Sequence, residues 1–133
     1  MTENQISTAV LGIAFKVHTK TGPGLLESAY EILMAYELRK QGLRVQRQVA
    51  IPIRYDDLVL DEGFRADLLV EGKVIVELKS VETLAKVHPK QLLTQLRMSG
   101  HRLGLLLNFG AIHLKDGIER VVNRLPEETH EQG

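Results

Sequence analysis

Residues 64–81, FRADLLVEGKVIVELKSV, carry the pattern that decides the fold. From Val74 to Lys79 the side chains alternate as in a β-strand, and most of them are apolar enough to be buried. Side chains two positions apart on a strand point the same way, so Glu77 and Lys79 share one face. The strand therefore combines a burial pattern with two charges on one side.

The turn after residue 70 decides what lies opposite Glu77. A three-residue loop, 71–73, would place Asp67 of the preceding strand opposite Glu77 and on the same face. A two-residue loop, 71–72, would place Asp67 opposite Val76 and point it away. A site of this form, with both carboxylates on one face, therefore requires the longer loop and does not exist if Asp67 lies on the face opposite Glu77.

Two neighbouring carboxylates, Asp67 and Glu77, would repel each other in an apolar sheet and would lose favourable hydration. A divalent cation between them would relieve both effects, and oxygen ligands favour Mg²⁺ or Mn²⁺. Lys79 is near enough along the strand to orient a water or a phosphate. The alternative is a Glu–Lys pair at the strand end, with both charged groups in solvent.

The rest of the chain predicts an α/β domain with a mixed sheet flanked by helices in the order ααβββαβ, antiparallel through its first three strands. The predicted helices span 4–20, 23–41 and 88–99, and the predicted strands span 44–57, 58–70, 74–80 and 103–110. Residues 111–122 add a short strand or hairpin. We expect a single domain over 1–133, with a core at about 5–124 and a polar tail at 125–133.

Composition narrows the class of protein. The chain has 133 residues and no cysteine, which excludes disulfides and thiolate metal sites and fits a reducing compartment. The N-terminus lacks the pattern of a signal peptide, and no apolar run approaches the roughly 20 residues of a membrane span. We expect a cytoplasmic protein with no membrane partner.

The net charge is zero, which argues against a generic binder of polyanions. Two segments nevertheless contain no acidic residue, 38–49 and 83–115, and the second includes Lys90 and Arg97. These segments could line a groove for phosphates. Alternatively, surface charges cluster by chance, and the cations at 39 and 40 complement a helix C-terminus.

The segment GLLESAY, residues 24–30, spaces Gly24, Glu27 and Tyr30 by three, which predicts one helix face. Gly24 would let the start of the helix approach neighbouring backbone closely. The alternatives are that Glu27 is simply a first-turn glutamate stabilised by the helix dipole and that Tyr30 only packs in the core.

The later helix carries a polar line, because His88, Gln91 and Gln95 fall at i, i+3 and i+7. His88 is also suited to a capping or surface role. The neighbouring leucines can pack inward.

The pair RAD and VELK resembles the PD-(D/E)XK nuclease signature through Asp67, Glu77 and Lys79, although Ala66 replaces the usual proline. GLLESAY resembles the GxxExxY motif, and QLL and GLLLNFG extend the resemblance. Over about residues 8–124 the chain is similar to the GxxExxY protein family of the PD-(D/E)XK nuclease superfamily.

The resemblance implies a restriction-endonuclease-like core and a magnesium-dependent nuclease. Its expected metal ligands are Glu27, Asp67, Glu77 and the backbone carbonyl of Leu78, with Mg²⁺ or Mn²⁺ as cofactor. Its expected catalytic residues are Asp67, Glu77, Lys79 and Gln91. The expected substrate-binding residues are Tyr30 and Gln95, together with Lys90 and Arg97 from the acid-free segment.

Related proteins with a QxxxY motif have tyrosine where this chain has Gln95, which cannot stack or supply a phenol. A catalytically weak or inactive module that binds nucleic acid or protein is therefore the alternative function. The expected partner is nucleic acid, DNA in preference to RNA. A homodimer is also possible, because so small a domain has a short substrate groove.

Overall fold

Three helices and five strands follow one another in residues 1–127, the part of the chain that this computed structural model describes. The helices are α1 (Glu3–Thr21), α2 (Glu27–Lys40) and α3 (Val87–Ser99). The strands are β1 (Val45–Tyr55), β2 (Leu58–Val70), β3 (Val74–Lys79), β4 (Leu103–Asn108) and β5 (Ile118–Val122). The predicted tail lies partly outside the described residues, from position 128 onward.

The five strands form one mixed sheet in the order β1-β2-β3-β4-β5. β1, β2 and β3 are antiparallel neighbours, β4 runs parallel to β3, and β5 returns antiparallel to β4. The prediction of an α/β fold with three antiparallel strands is confirmed. β5 follows a short 3₁₀ helix, Leu114–Gly117, so the strand alternative for residues 111–122 is the correct one.

The helices cover the two faces of this sheet, and each face has its own apolar cluster. α1 and α2 pack on one face, which we call the α2 side. α3 packs on the other face through Leu92 and Leu96, and we call it the α3 side. Strand β4 is buried along its whole length, as its apolar sequence predicts.

Helix α1 forms where the apolar spacing predicts it, with Ile6, Val10, Ile13 and Val17 all buried. Thr2 caps its first turn, accepting from the Gln5 amide while the Gln5 side chain accepts from the Thr2 amide. Among residues 1–127, no helix combines the length and the hydropathy that crossing a membrane requires.

Helix α2 begins at Glu27, so the predicted start at residue 23 is wrong. Gly22 and Gly24 have φ values of 67° and 114°, which a right-handed helix cannot accommodate. Gly24 therefore precedes the helix and does not share a helix face with Glu27. A Cβ at Gly24 would meet nothing within 4 Å. Glycine is therefore required here by the positive φ and not by a close approach of neighbouring backbone.

Candidate active site

The site forms where strands β2 and β3 separate. Val70 pairs with Val74 across the loop Glu71–Lys73, so the three-residue loop predicted as one alternative is the one present. The last paired residues of this ladder are Leu68 and Val76. Asp67 and Glu77 are the next residues on their strands, at the point where the regular pairing stops.

The Asp67 carboxylate fills the gap that the separating strands leave. Its Oδ2 accepts from the Leu78 amide at 2.8 Å, and its Oδ1 accepts from the Gln48 side chain at 3.1 Å. The amide and carbonyl of one strand residue point to the same edge, so the Leu78 carbonyl also lies on the edge that faces β2. This carbonyl and the Asp67 carboxylate are thus candidate ligands at one place.

The simple register argument predicts that Asp67 and Glu77 open to the same side of the sheet. In the structure they open to opposite sides. Ala66 and Leu69 both pack in the cluster on the α3 side, so the alternation of side chains is broken between them. Asp67 consequently lines the cavity on the α2 side, whereas Glu77 lines the α3 side. The prediction that Asp67 and Glu77 share one face is therefore wrong, and only Glu77 and Lys79 lie on the same side of the sheet.

The two carboxyl groups are nevertheless electrostatic neighbours. Burial, and then the charge of the neighbouring Asp67, raise the pKa of the Glu77 carboxyl to about 8, against a smaller opposing effect of Lys79. Glu77 Oε1 is buried with no hydrogen-bond partner. A buried acceptor beside a second carboxylate is an arrangement that a bound cation would stabilise.

On the α3 side, Glu77 and Lys79 line a cavity of about 80 Å³ together with His88, Gln91 and Gln95. The polar line predicted for this helix therefore faces the predicted catalytic strand. Gln95 Oε1, like Glu77 Oε1, is buried without a partner. His88 Nδ1 accepts from the Ala85 amide at 3.2 Å, which supports the capping role.

On the α2 side, a larger cavity of about 780 Å³ includes Glu27, Asp67 and Ser80. Glu27 stands in the first turn of α2, and its Oε1 accepts from the Ser80 amide at 3.4 Å. The Ser80 hydroxyl donates to the Leu25 carbonyl at 2.7 Å. The start of α2 is thus joined to the residue that follows Lys79.

The structure does not bring Glu27, Asp67 and Glu77 together as one compact cluster. In the described part of the chain, no three histidine, aspartate or glutamate side chains are close enough to hold a metal ion. The candidate donors that remain near one another are Asp67, Glu77 and the Leu78 carbonyl. Mg²⁺ commonly binds through one or two carboxylates and keeps several waters, so it does not need a third carboxylate.

Tyr30 is fully buried, which favours its packing alternative over contact with a substrate. Its ring stacks on Phe109 with centroids 4.4 Å apart. Its hydroxyl donates to the Gly22 carbonyl at 2.6 Å and accepts from the Leu25 amide at 3.2 Å. Tyr30 therefore holds the turn before α2, and it acts on Glu27 only by placing the start of that helix.

The two predicted cationic contacts, Lys90 and Arg97, are both exposed on α3. Arg97 lines a separate depression with Arg102 and Arg124, near the end of α3. These side chains form a basic surface beside the α3 side and do not line the small cavity.

Several site residues are missed by sequence reasoning. Glu31 and Gln48 line the larger cavity, and Arg47 does so as well. Buried Asn108 accepts from the amides of Val81 and Gly110, each at 3.0 Å, and so fixes the segment after β3. A polar residue ending the apolar run of β4 is the signal that could have indicated Asn108.

These features define an α/β fold of the restriction-endonuclease-like type, with a carboxylate pair and a lysine where two strands separate. A sequence model of the PD-(D/E)XK nuclease superfamily matches residues 4–121, and the chain belongs to that superfamily. Membership suggests nuclease activity and a nucleic-acid substrate, and nucleases of this superfamily generally use divalent metal ions. No curated protein and no solved structure matches the chain significantly.

Proposed function

We propose that this protein is a nuclease that hydrolyses phosphodiester bonds with the help of Mg²⁺ or Mn²⁺. The observation that carries the proposal is the neighbouring pair Asp67 and Glu77, with Lys79 on the same face as Glu77. Within the superfamily, the spacing of Glu27 and Tyr30 supports membership of the GxxExxY family.

In this proposal Asp67, Glu77 and the Leu78 carbonyl hold the cation, and Glu27 contributes from the α2 side. The unpaired Glu77 Oε1 supports this assignment, because it is a buried acceptor that no protein group satisfies and that a bound cation would satisfy. When bound, the cation would lower the pKa of a water and withdraw charge from a phosphoryl oxygen.

Lys79 supplies three N–H donors and a positive charge where charge develops on the phosphate. Gln91 is exposed at the mouth of the same cavity and can donate from its amide to the water or to the phosphate. Lys90, Gln95 and Arg97 contact the substrate in this proposal. DNA is the proposed substrate, in preference to RNA.

A second function is a nuclease-fold module that binds nucleic acid or protein without turnover. Gln95 favours it, because the related QxxxY motif has tyrosine at this position and glutamine can neither stack nor supply a phenol. We also propose a cytoplasmic location, which fits the lack of cysteine, and a homodimer, which sedimentation equilibrium would test.

The experiment is a cleavage assay on single- and double-stranded DNA and RNA with Mg²⁺ or Mn²⁺. Purified protein should cleave at least one substrate, and Lys79→Ala should abolish cleavage. Lys20→Ala is the matched control, because Lys20 is exposed at the end of α1 and should not affect the rate. Full activity of Lys79→Ala would contradict the nuclease assignment, and no cleavage by the parent protein would favour the second function.

A further inference from the structure

The side-chain amide of Gln48 joins two carboxylates that come from different elements. Its Nε2 donates to Glu31 Oε1 at 2.5 Å and to Asp67 Oδ1 at 3.1 Å. An amide nitrogen has two N–H donors, so each carboxylate takes one of them. The reverse orientation would direct the amide oxygen at two carboxylates, which fixes the orientation chemically.

The backbone of Gln48 is held in an uncommon conformation for this contact. Its φ is 48°, in the left-handed region, which costs a residue other than glycine about 1 kcal/mol or more. As a consequence, Arg47 and Gln48 both reach Glu31, although consecutive strand residues normally point to opposite faces. The Gln48 carbonyl accepts from Arg65 at 2.8 Å, which helps to hold this conformation.

Glu31 is the fixed end of this arrangement. It is buried, and its Oε2 forms an ion pair with Arg47 at 2.9 Å. Asp67 is the end that lies in the cavity, and its second oxygen is occupied by the Leu78 amide. Both oxygens of the Asp67 carboxylate are therefore held. The Leu78 amide of β3 holds one, and Gln48, which is itself bound to Glu31 of α2, holds the other.

We propose that Gln48 is a positioning residue that holds the Asp67 carboxylate in the orientation for binding a divalent cation. It also places an N–H group between two carboxylates that would otherwise repel each other. The inference rests on the proposed function, and it adds a residue for which neither the resemblance nor the superfamily match gives a role. Each oxygen of Asp67 retains a lone pair for the cation.

The test is a calorimetric titration of the full chain with Mn²⁺. Gln48→Met keeps the length of the side chain and removes both donors. We expect Mn²⁺ to bind about tenfold more weakly, as is typical when a group that orients a metal ligand is lost. Gln46→Met is the matched control, since Gln46 is exposed on the same strand and should leave the affinity unchanged.

Gln48→Asn is the second variant, in case the methionine disturbs folding. Asparagine tolerates the left-handed backbone better, and its amide is one methylene too short to span both carboxylates. We expect the same weakening of Mn²⁺ binding, with a metal-free melting temperature close to that of the parent.

Two results would overturn the inference. Only the second of them would also contradict the proposed function. If both Gln48 variants bind Mn²⁺ within about twofold of the parent while Glu77→Gln binds weakly, Gln48 does not position the ligand and the proposed function stands. If the parent itself binds no Mn²⁺, the proposed function fails and the inference fails with it.

Discussion

At the residue scale, Glu77 is the group whose environment departs most clearly from that of a free carboxylic acid. Its pKa is raised to about 8, mainly because burial disfavours the charged form. Near neutral pH the metal-free protein therefore holds a largely protonated glutamate, whereas the unfolded chain holds an ionised one. Folding without metal thus takes up a proton at this residue.

This difference predicts how stability depends on pH. The contribution of Glu77 is fully present below about pH 4.5 and is lost as the pH rises toward about 8, since the unfolded chain releases the proton first. Glu77→Gln mimics the protonated form and should match the parent at pH 4.5. At pH 8.5 it should be more stable by roughly 3 to 5 kcal/mol, at about 1.4 kcal/mol for each pKa unit.

Urea unfolding of metal-free parent and variant across this pH range measures the effect. The comparison cancels the titration of groups that do not interact with Glu77, such as His101, whose pKa is lowered by burial. A difference between the two proteins that does not change with pH would show that Glu77 ionises normally.

At the scale of the elements, the segment after β3 depends on close contact with the segment after β4. A Cβ on Gly110 would lie 2.6 Å from the Val81 nitrogen and nearer still to the Val81 carbonyl oxygen. Gly110→Ala should therefore displace the backbone beside Lys79 and lower the free energy of unfolding by about 2 kcal/mol or more.

Gly12→Ala is the control with the opposite expected sign. Gly12 is exposed on α1 and has open space around its Cα, so alanine should stabilise the helix by up to about 1 kcal/mol. Chemical denaturation of both variants measures the two changes in the free energy of unfolding. Equal effects of the two substitutions would contradict the role assigned to Gly110.

The elements also show what the sequence can predict. The strands on either side of the 71–73 loop were predictable from alternation, but the sequence left open a two- or a three-residue loop, and only the structure decides which residues pair. The start of α2 was not, because Pro23 is compatible with a first helical turn and only the backbone angles of the glycines exclude it. The side to which Asp67 opens follows the broken alternation between Ala66 and Leu69, and no local sequence pattern predicts that break.

At the scale of the whole molecule, 17 basic and 17 acidic residues balance, so nucleic-acid binding must rely on where the cations lie. Lys90 and Arg97 are exposed on α3, the helix that lines the cavity of Glu77 and Lys79. Each phosphate contact contributes about one unit to the slope of log affinity against log salt concentration.

The double variant Lys90→Ala/Arg97→Ala should therefore lower that slope by about two and weaken binding at low salt. Fluorescence anisotropy of a labelled duplex without divalent cations measures binding in the absence of cleavage. Lys20→Ala should leave the slope unchanged. An unchanged slope in the double variant would place the substrate path elsewhere on the surface.

The most direct test of the central claim is a crystal structure grown with Mn²⁺, with the metal located by anomalous diffraction. We expect one Mn²⁺ bound between the Asp67 and Glu77 carboxylates, with the Leu78 carbonyl as a further ligand. A well-ordered site with no anomalous peak there, at Mn²⁺ concentrations that support cleavage, would contradict it.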